Sequence, residues 1–394
     1  MASAKGTTVF ILGAGCSIAY GYPLASGFID GLRKFLDYIA ARADAGDVKS
    51  CVERTLRLIE SCRAHYREGS EITTLDRLTK WIEEQYKVQC IGAFPRETEE
   101  TEWPFSGQRV RTSNDFDLVA HKQVLDAKLA TSAWFLHLED EAFTKSLEGY
   151  ARLLQNIFGT RADLVTMGAT DARVLTFNYD RLFEVAFLKF FSDGEARHRY
   201  LYSTSVLNSG YEEKPSEKLE IETGQFCFLK LHGSVGWRVS NAPGIRESDD
   251  CRRYECCAPV RGAIPVTDSG FIEPFGRNRF EPLLIFPHEK HRGRLDFLAD
   301  PYIDKIWKQA AALMSDAKVV KILGYSFDSM DRRYLINELF SKAKNCERVL
   351  VLDPKAPEIV RSLKEDTFIQ KQAPQLLTNL VPCTCNFGER FDLS

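Results

Sequence analysis

The sequence contains no Cys-x-x-Cys pair, although it holds 11 cysteines. Structural zinc sites are commonly built on such pairs, so no metal is expected. The odd, scattered set of cysteines also argues against a disulfide framework and fits reduced thiols. No apolar stretch is long enough to span a bilayer. The first one, residues 9–12, is too short for a secretory signal. No membrane partner is expected, and the cytoplasm is the expected location. Neither sign of charge dominates: 52 Lys and Arg stand against 55 Asp and Glu, a net charge of −3. That balance argues against a protein devoted to nucleic acid or to a membrane surface. Also missing are a P-loop, a Gly-x-Ser-x-Gly elbow and a His-Glu-x-x-His helix. There is no internal repeat, and no acidic cluster suits a nuclease metal site.

What remains is a chain of 394 residues, 44% of them hydrophobic, enough for one large domain or two ordinary ones. Val9-Phe10-Ile11-Leu12 is a continuous apolar run ending in glycines, the pattern of a buried parallel strand. Helical periodicity then covers residues 28–45, 49–66 and 71–87. Residues 91–115 break it with polar, acidic and turn-forming residues and read as an exposed loop. Helix resumes from about 116 to 158. After residue 172 short strands alternate with helices. Strands are expected at 174–177, 226–231, 283–286, 319–323 and 348–352, with helices at 181–191 and from about 331. Residues 239–282, rich in Gly, Pro and charge, read as an irregular insertion. Strand, polar turn, helix, repeated, describes a doubly wound parallel sheet. The expected fold is an α/β core made of residues 1–30 and 166–394, interrupted by a helical insertion at 31–165.

Ligands of such sheets bind outside the carboxyl ends of the strands. Five polar clusters stand at those ends. Gly13-Ala14-Gly15-Cys16-Ser17 permits a tight turn and close backbone approach, with a following helix to offer amides to a pyrophosphate. The alternative is a strand–helix turn with no ligand. Asn178-Tyr179-Asp180 supplies amide and carboxylate groups, or simply caps the next helix. His232-Gly233-Ser234 places an imidazole at a strand end, as an acid/base or as a structural histidine. Gly324-Tyr325-Ser326 and Asp353-Pro354 could hold a ribose or phosphate, or serve as plain turns. Residues 288–294 (His-Glu-Lys-His-Arg-Gly-Arg) are basic and read as a solvated loop.

In this order the motifs resemble those of the sirtuin superfamily. Gly13-Ala14-Gly15-Cys16-Ser17 with Gly21-Tyr22-Pro23 resembles its Gly-Ala-Gly-x-Ser and Gly-x-Pro. Thr176-Phe177-Asn178-Tyr179-Asp180 resembles Thr-x-Asn-x-Asp. Leu231-His232-Gly233-Ser234 resembles the catalytic histidine segment, and Gly324-Tyr325-Ser326 the Gly-Thr-Ser turn. Val351-Leu352-Asp353 stands near the place of an Ile-Asn pair. The Asp-Phe-Arg segment and zinc cysteines of sirtuin deacetylases are missing, and the helical insertion is added. That pattern resembles the sirtuin-like NAD hydrolases of bacterial antiphage defence.

The resemblance implies a sirtuin-like Rossmann-type sheet and NAD as the substrate, cleaved to nicotinamide and ADP-ribose. It implies catalytic roles for Asn178, His232 and Asp180. It implies NAD contacts from Gly13, Ala14, Gly15, Ser17, Gly324, Ser326 and Asp353. It also implies a homo-oligomer, with a HerA-type ATPase as a possible partner. A non-catalytic NAD-sensing subunit and a protein deacylase are the competing expectations.

Overall fold

The computed structural model describes residues 7–41, 46–65, 78–79, 81–82, 101–102, 109–110, 115–159, 170–191, 201, 226–240, 253–256, 259, 280–286, 301–327, 332 and 335–388. The strands are β1 (Thr7–Leu12), β2 (Thr101–Glu102), β3 (Arg109–Val110), β4 (Ala172–Thr176), β5 (Cys227–Lys230), β6 (Gly233–Ser240), β7 (Arg253–Cys256), β8 (Phe280–Leu284), β9 (Ala317–Leu323), β10 (Arg348–Leu352) and β11 (Leu380–Cys383). The α-helices are α1 (Phe28–Ala40), α2 (Gly46–His65), α3 (Asp115–Thr144), α4 (Glu148–Phe158), α5 (Leu182–Phe190), α6 (Pro301–Ser315), α7 (Ala356–Glu365), α8 (Thr367–Gln372) and α9 (Pro374–Thr378).

Six strands form one sheet in the order β11-β10-β9-β1-β4-β5, all pairs parallel. Counted in chain order, that is the 3-2-1-4-5-6 arrangement of the doubly wound fold. The strand order reverses between β1 and β9, and ligands of this fold bind at that switch point. The strands read as apolar runs because helices cover both faces: Val9, Ile11, Val174, Leu175, Val320 and Ile322 are all fully buried.

Helices α1 to α4 fill most of the expected insertion and share one apolar core with the sheet. On α1 the residues Phe28, Ile29, Leu32, Phe35 and Ile39 face inward. Gly31 leaves room for the Trp134 ring, since a Cβ there would lie 2.2 Å from it. Trp134 in turn meets Phe28 edge-on at 5.3 Å. Among the described residues no helix is long and apolar enough to cross a membrane.

The structure corrects three expectations. Helix α1 stops at Ala40, short of residue 45. Residues 91–115 include a short antiparallel pair, Thr101 with Val110 and Glu102 with Arg109. The segment 239–282 is not wholly irregular, because residues 239–240, 253–256 and 280–282 belong to a second sheet, β7-β6-β8, that is antiparallel. This sheet starts at Gly233, whose φ of +77° turns the chain out of β5. Between β1 and α1 the chain forms two 3-10 turns, Ala14–Cys16 and Ile18–Tyr20, and α1 begins at Phe28 as expected. Most of the expected helix at 71–87, and residues 288–294, lie outside the described residues.

Two glycine turns meet at the switch point. Gly13 N donates to Leu323 O (2.9 Å) and Gly15 N to Gly324 O (2.8 Å). Gly324 has φ +59°, and a Cβ on it would lie 2.6 Å from Cys16 N. A Cβ on Gly13 or Gly15 would collide equally with the Gly324 backbone. Gly324→Ala therefore adds a left-handed penalty of about 1–2 kcal/mol to a steric clash. We expect a loss of at least about 2 kcal/mol in denaturant unfolding. An unchanged midpoint would show that the two turns can separate without cost.

Candidate active site

Strands β1, β4 and β5 are neighbours, so their carboxyl ends deliver Gly13, Asn178 and His232 to one edge of the sheet. Asn178 is held by its amide nitrogen, which donates to Gly13 O (3.0 Å) and to Ser17 Oγ (3.2 Å). A backbone carbonyl can only accept, so the nitrogen must face Gly13. Its backbone N–H donates to Thr176 Oγ1 at 3.1 Å, which holds the loop after β4 against the strand.

Ser17 is the centre of this group and is almost wholly buried. Its hydroxyl donates to Asp180 Oδ2 at 2.8 Å and meets the Tyr150 hydroxyl at 3.0 Å. Asp180 Oδ1 accepts from Leu182 N at 3.0 Å, a turn bond that leads into the first residue of α5. Burial raises its pKa and Glu184 adds to that, while Lys230, the Leu182 amide and the Ser17 hydroxyl pull it down.

His232 is 3% exposed and sits among aromatic rings, with Phe177 edge-on at 5.1 Å and Tyr179 at 5.9 Å. Its carbonyl accepts from Ile285 N (2.9 Å), while Tyr179 OH donates to Ile285 O (3.0 Å). Phe177 also meets Tyr325 at 4.8 Å, which links the ends of β4 and β9.

A layer of buried charge lies behind these groups. Arg181 makes a two-pronged pair with Glu139 of α3, at 2.6 and 2.7 Å. The guanidinium lies against Gly236, where a Cβ would come within 2.4 Å of Nη1. Lys230 pairs with Glu184 at 2.9 Å and also donates to the Asp180 carbonyl. Burial raises the Glu139 pKa, against the pull of Arg181. Cys16 is buried, its Sγ donates to Leu323 O, and burial pushes its thiol pKa well up, so it is no nucleophile.

The expected NAD contacts divide into two groups. Gly13, Ala14, Gly15 and Gly324 do line the switch point, but their glycines are required by the contact between the two turns. The Cys16 and Ser17 amides turn back to Gly13 O and Ala14 O (both 3.0 Å) and close a 3-10 turn, while the expected helix begins further on, at Phe28. Ala14 is exposed and Gly15 half-buried at the rim. Ser17 faces inward to the polar group. Ser326 is exposed, next to Phe327, a bulky residue at φ +56°. Such backbone is rare outside glycine and clusters at functional sites. Asp353 is half-buried and accepts from Lys355 N at 2.8 Å, closing its own turn. Sequence reasoning missed Tyr150, Glu139 and Lys230. The first two lie in the helical segment, where only apolar periodicity was legible.

The fold and these groups define a doubly wound α/β protein with a polar site at the β1/β9 switch point. A family model described as the SIR2-like domain matches residues 172–372, just over half of the chain, and the chain belongs to that family. No curated protein matches it. Among solved structures it is similar to Sir2 in complex with the inhibitor EX-527, 2'-O-acetyl-ADP-ribose and a deacetylated p53 peptide. The identity is 13%, over 97% of this chain and 90% of that one, with a TM-score of 0.32.

Two outcomes follow from the buried charge. Removing one partner of such a pair leaves the other uncompensated, at about 3–5 kcal/mol. Glu139→Ala should lower the unfolding free energy by that amount, and a loss below about 1 kcal/mol would show Arg181 to be solvated. Asp180 holds its proton more tightly folded than unfolded. Its stabilising contribution is therefore complete below the ordinary aspartate range and is lost as pH rises through the raised folded value. Between about pH 4 and 8, stability of Asp180→Asn should fall less with pH than that of the wild type. Equal slopes in urea titrations would refute this.

Proposed function

We propose that this chain binds NAD at the β1/β9 switch point and hydrolyses its nicotinamide–ribose bond. The observation that carries the reading is the meeting of Asn178, Ser17 and Asp180 in one hydrogen-bonded group, with His232 on the adjacent strand end. Membership of the SIR2-like family supports NAD as the substrate. The exposed Ala14 and the half-buried Gly15 form the rim on which the pyrophosphate rests, with Gly13 and Gly324 beneath. Ser326 and Asp353 flank the adenosine half.

In the reaction the C–N bond to nicotinamide breaks and neutral nicotinamide leaves with the bonding electrons. The ribose carbon becomes oxocarbenium-like, and the buried Asp180 favours that charge. Asn178, with its nitrogen held by Gly13 and Ser17, presents its oxygen to a ribose hydroxyl or to the attacking water. Water forms the new C–O bond and gives its proton to His232. The products are nicotinamide and ADP-ribose.

We read the wider role as that of an NAD-depleting effector of antiphage defence. It would act in the cytoplasm as a homo-oligomer, with a HerA-type ATPase as its partner. The burial of Asn178 and His232 favours a gated site that opens on assembly. The same burial supports a second reading, a subunit that senses NAD without consuming it. A protein deacylase fits less well, because the Asp-Phe-Arg segment and the zinc cysteines of sirtuin deacetylases are missing.

The test is to incubate the full chain with NAD and follow nicotinamide and ADP-ribose by chromatography. Asn178→Ala and His232→Ala should each cut turnover by about 100-fold or more while the far-UV spectrum is kept. Binding of NAD without turnover, with and without the ATPase, would favour the sensor. Failure to bind NAD at all would overturn the proposal.

A further inference from the structure

The polar group at the switch point is completed from outside the matched family segment. Tyr150 is the third residue of α4 and is 1% exposed. Its ring meets Tyr20 at 5.7 Å, Phe183 at 6.4 Å and Phe387 at 4.9 Å, so three separate parts of the chain fix it. The start of α4 is itself fixed, since Gly149 N donates to Tyr20 OH at 2.9 Å. The phenol oxygen therefore reaches Ser17 Oγ from a rigid support.

A serine hydroxyl has one proton and two lone pairs. Ser17 gives its proton to Asp180 and accepts from Asn178 Nδ2. One lone pair remains, so Tyr150 must donate into it. Burial pushes the Tyr150 phenol well above its ordinary value, which keeps it a donor. The chain of donation runs from Tyr150 to Ser17 to Asp180, with Asn178 joining at Ser17. Both N–H bonds of the Asn178 amide are then committed, to Gly13 O and to Ser17, and its oxygen is turned the other way.

We propose that Tyr150 is a positioning residue, whose hydroxyl locks Ser17 and through it sets the orientation of Asn178 and Asp180 for NAD cleavage. This rests on the NAD hydrolase reading above. Without the phenol proton, the Ser17 hydroxyl can rotate, and the amide of Asn178 loses its fixed acceptor. The ring would keep its packing in Tyr150→Phe, so the fold survives while the proton order is lost. A loss of one aligned hydrogen bond corresponds to about a tenfold effect.

The experiment uses the full chain and four proteins: wild type, Tyr150→Phe, Ser17→Ala and the double variant. Steady-state NAD cleavage should show kcat of Tyr150→Phe down about tenfold with KM nearly unchanged. In the Ser17→Ala background the second substitution should lower kcat no further. Thermal melts run on the same four proteins read the contact without activity: the Tm loss from Tyr150→Phe should vanish when Ser17 is already alanine. An active wild type with kcat unchanged in Tyr150→Phe, or losses that simply add, overturns the role of Tyr150 alone. A wild type that cleaves no NAD either with or without the ATPase, with the melt coupling intact, overturns the hydrolase reading and with it the purpose given to Tyr150.

Discussion

The close contact of two backbone turns, Gly13 to Gly15 after β1 and Gly324 after β9, is the constraint on which the site rests. Side chains at these positions would separate the strand ends by the width of a methyl group, and both turns hydrogen-bond across the gap. Because the turns touch, the chain leaving β1 cannot run straight on. It winds through two 3-10 turns instead, and that path puts Ser17 under the rim, within reach of Asn178. A glycine-rich turn is usually explained by the ligand it admits. Here the first cause is the other turn, and the proposed ligand site is what their meeting leaves at the surface.

Burying a polar group of this size has a cost, and the structure meets it by filling the hydrogen-bonding capacity of Ser17. Its one proton and both lone pairs have partners. The charges behind it follow the same logic. Arg181 with Glu139 and Lys230 with Glu184 are each nearly water-free, and each is paired. Such pairs add little net stability over apolar packing, but breaking one is costly. They therefore act as constraints: Arg181 cannot leave Glu139, so the segment that carries Asn178 and Asp180 is fastened to α3.

The sheet was legible because parallel strands buried on both faces are written as unbroken apolar runs. Val9 to Leu12, Val174 to Phe177 and Val349 to Leu352 needed no tertiary information. The polar clusters at the strand ends were legible for the same reason, since they stand where each run stops. What could not be read was whatever depends on distant partners. Ser17 meets Tyr150 across 133 positions, and Arg181 meets Glu139 across 42. On α3 and α4, Glu139 and Tyr150 sit inside stretches whose apolar period gives the helix but not the role of one residue. The 3-10 path between β1 and α1 could not be read, because Gly-Ala-Gly says only that the chain turns tightly there. The second sheet was missed because its antiparallel partners are separated by Gly- and Pro-rich sequence that reads as loop.

The helical region between β1 and β4 therefore cannot be regarded as a module hung on a finished core. Of the groups around Ser17, the phenol comes from α4. Of the groups around Arg181, the carboxylate comes from α3. Taking this region away would leave an unfilled lone pair at Ser17 and an uncompensated guanidinium beside Gly236, both buried. Each is a larger penalty than an exposed loop end would bring. The segment matched to the SIR2-like family starts at residue 172, so it holds Asn178, Asp180 and His232 together with Thr176, Leu182 and Lys230, but not Ser17, Tyr150 or Glu139. A change in how α3 and α4 pack, whether by assembly or by a bound partner, would be felt first at Ser17 and Arg181. Those two residues connect the helices to the strand ends.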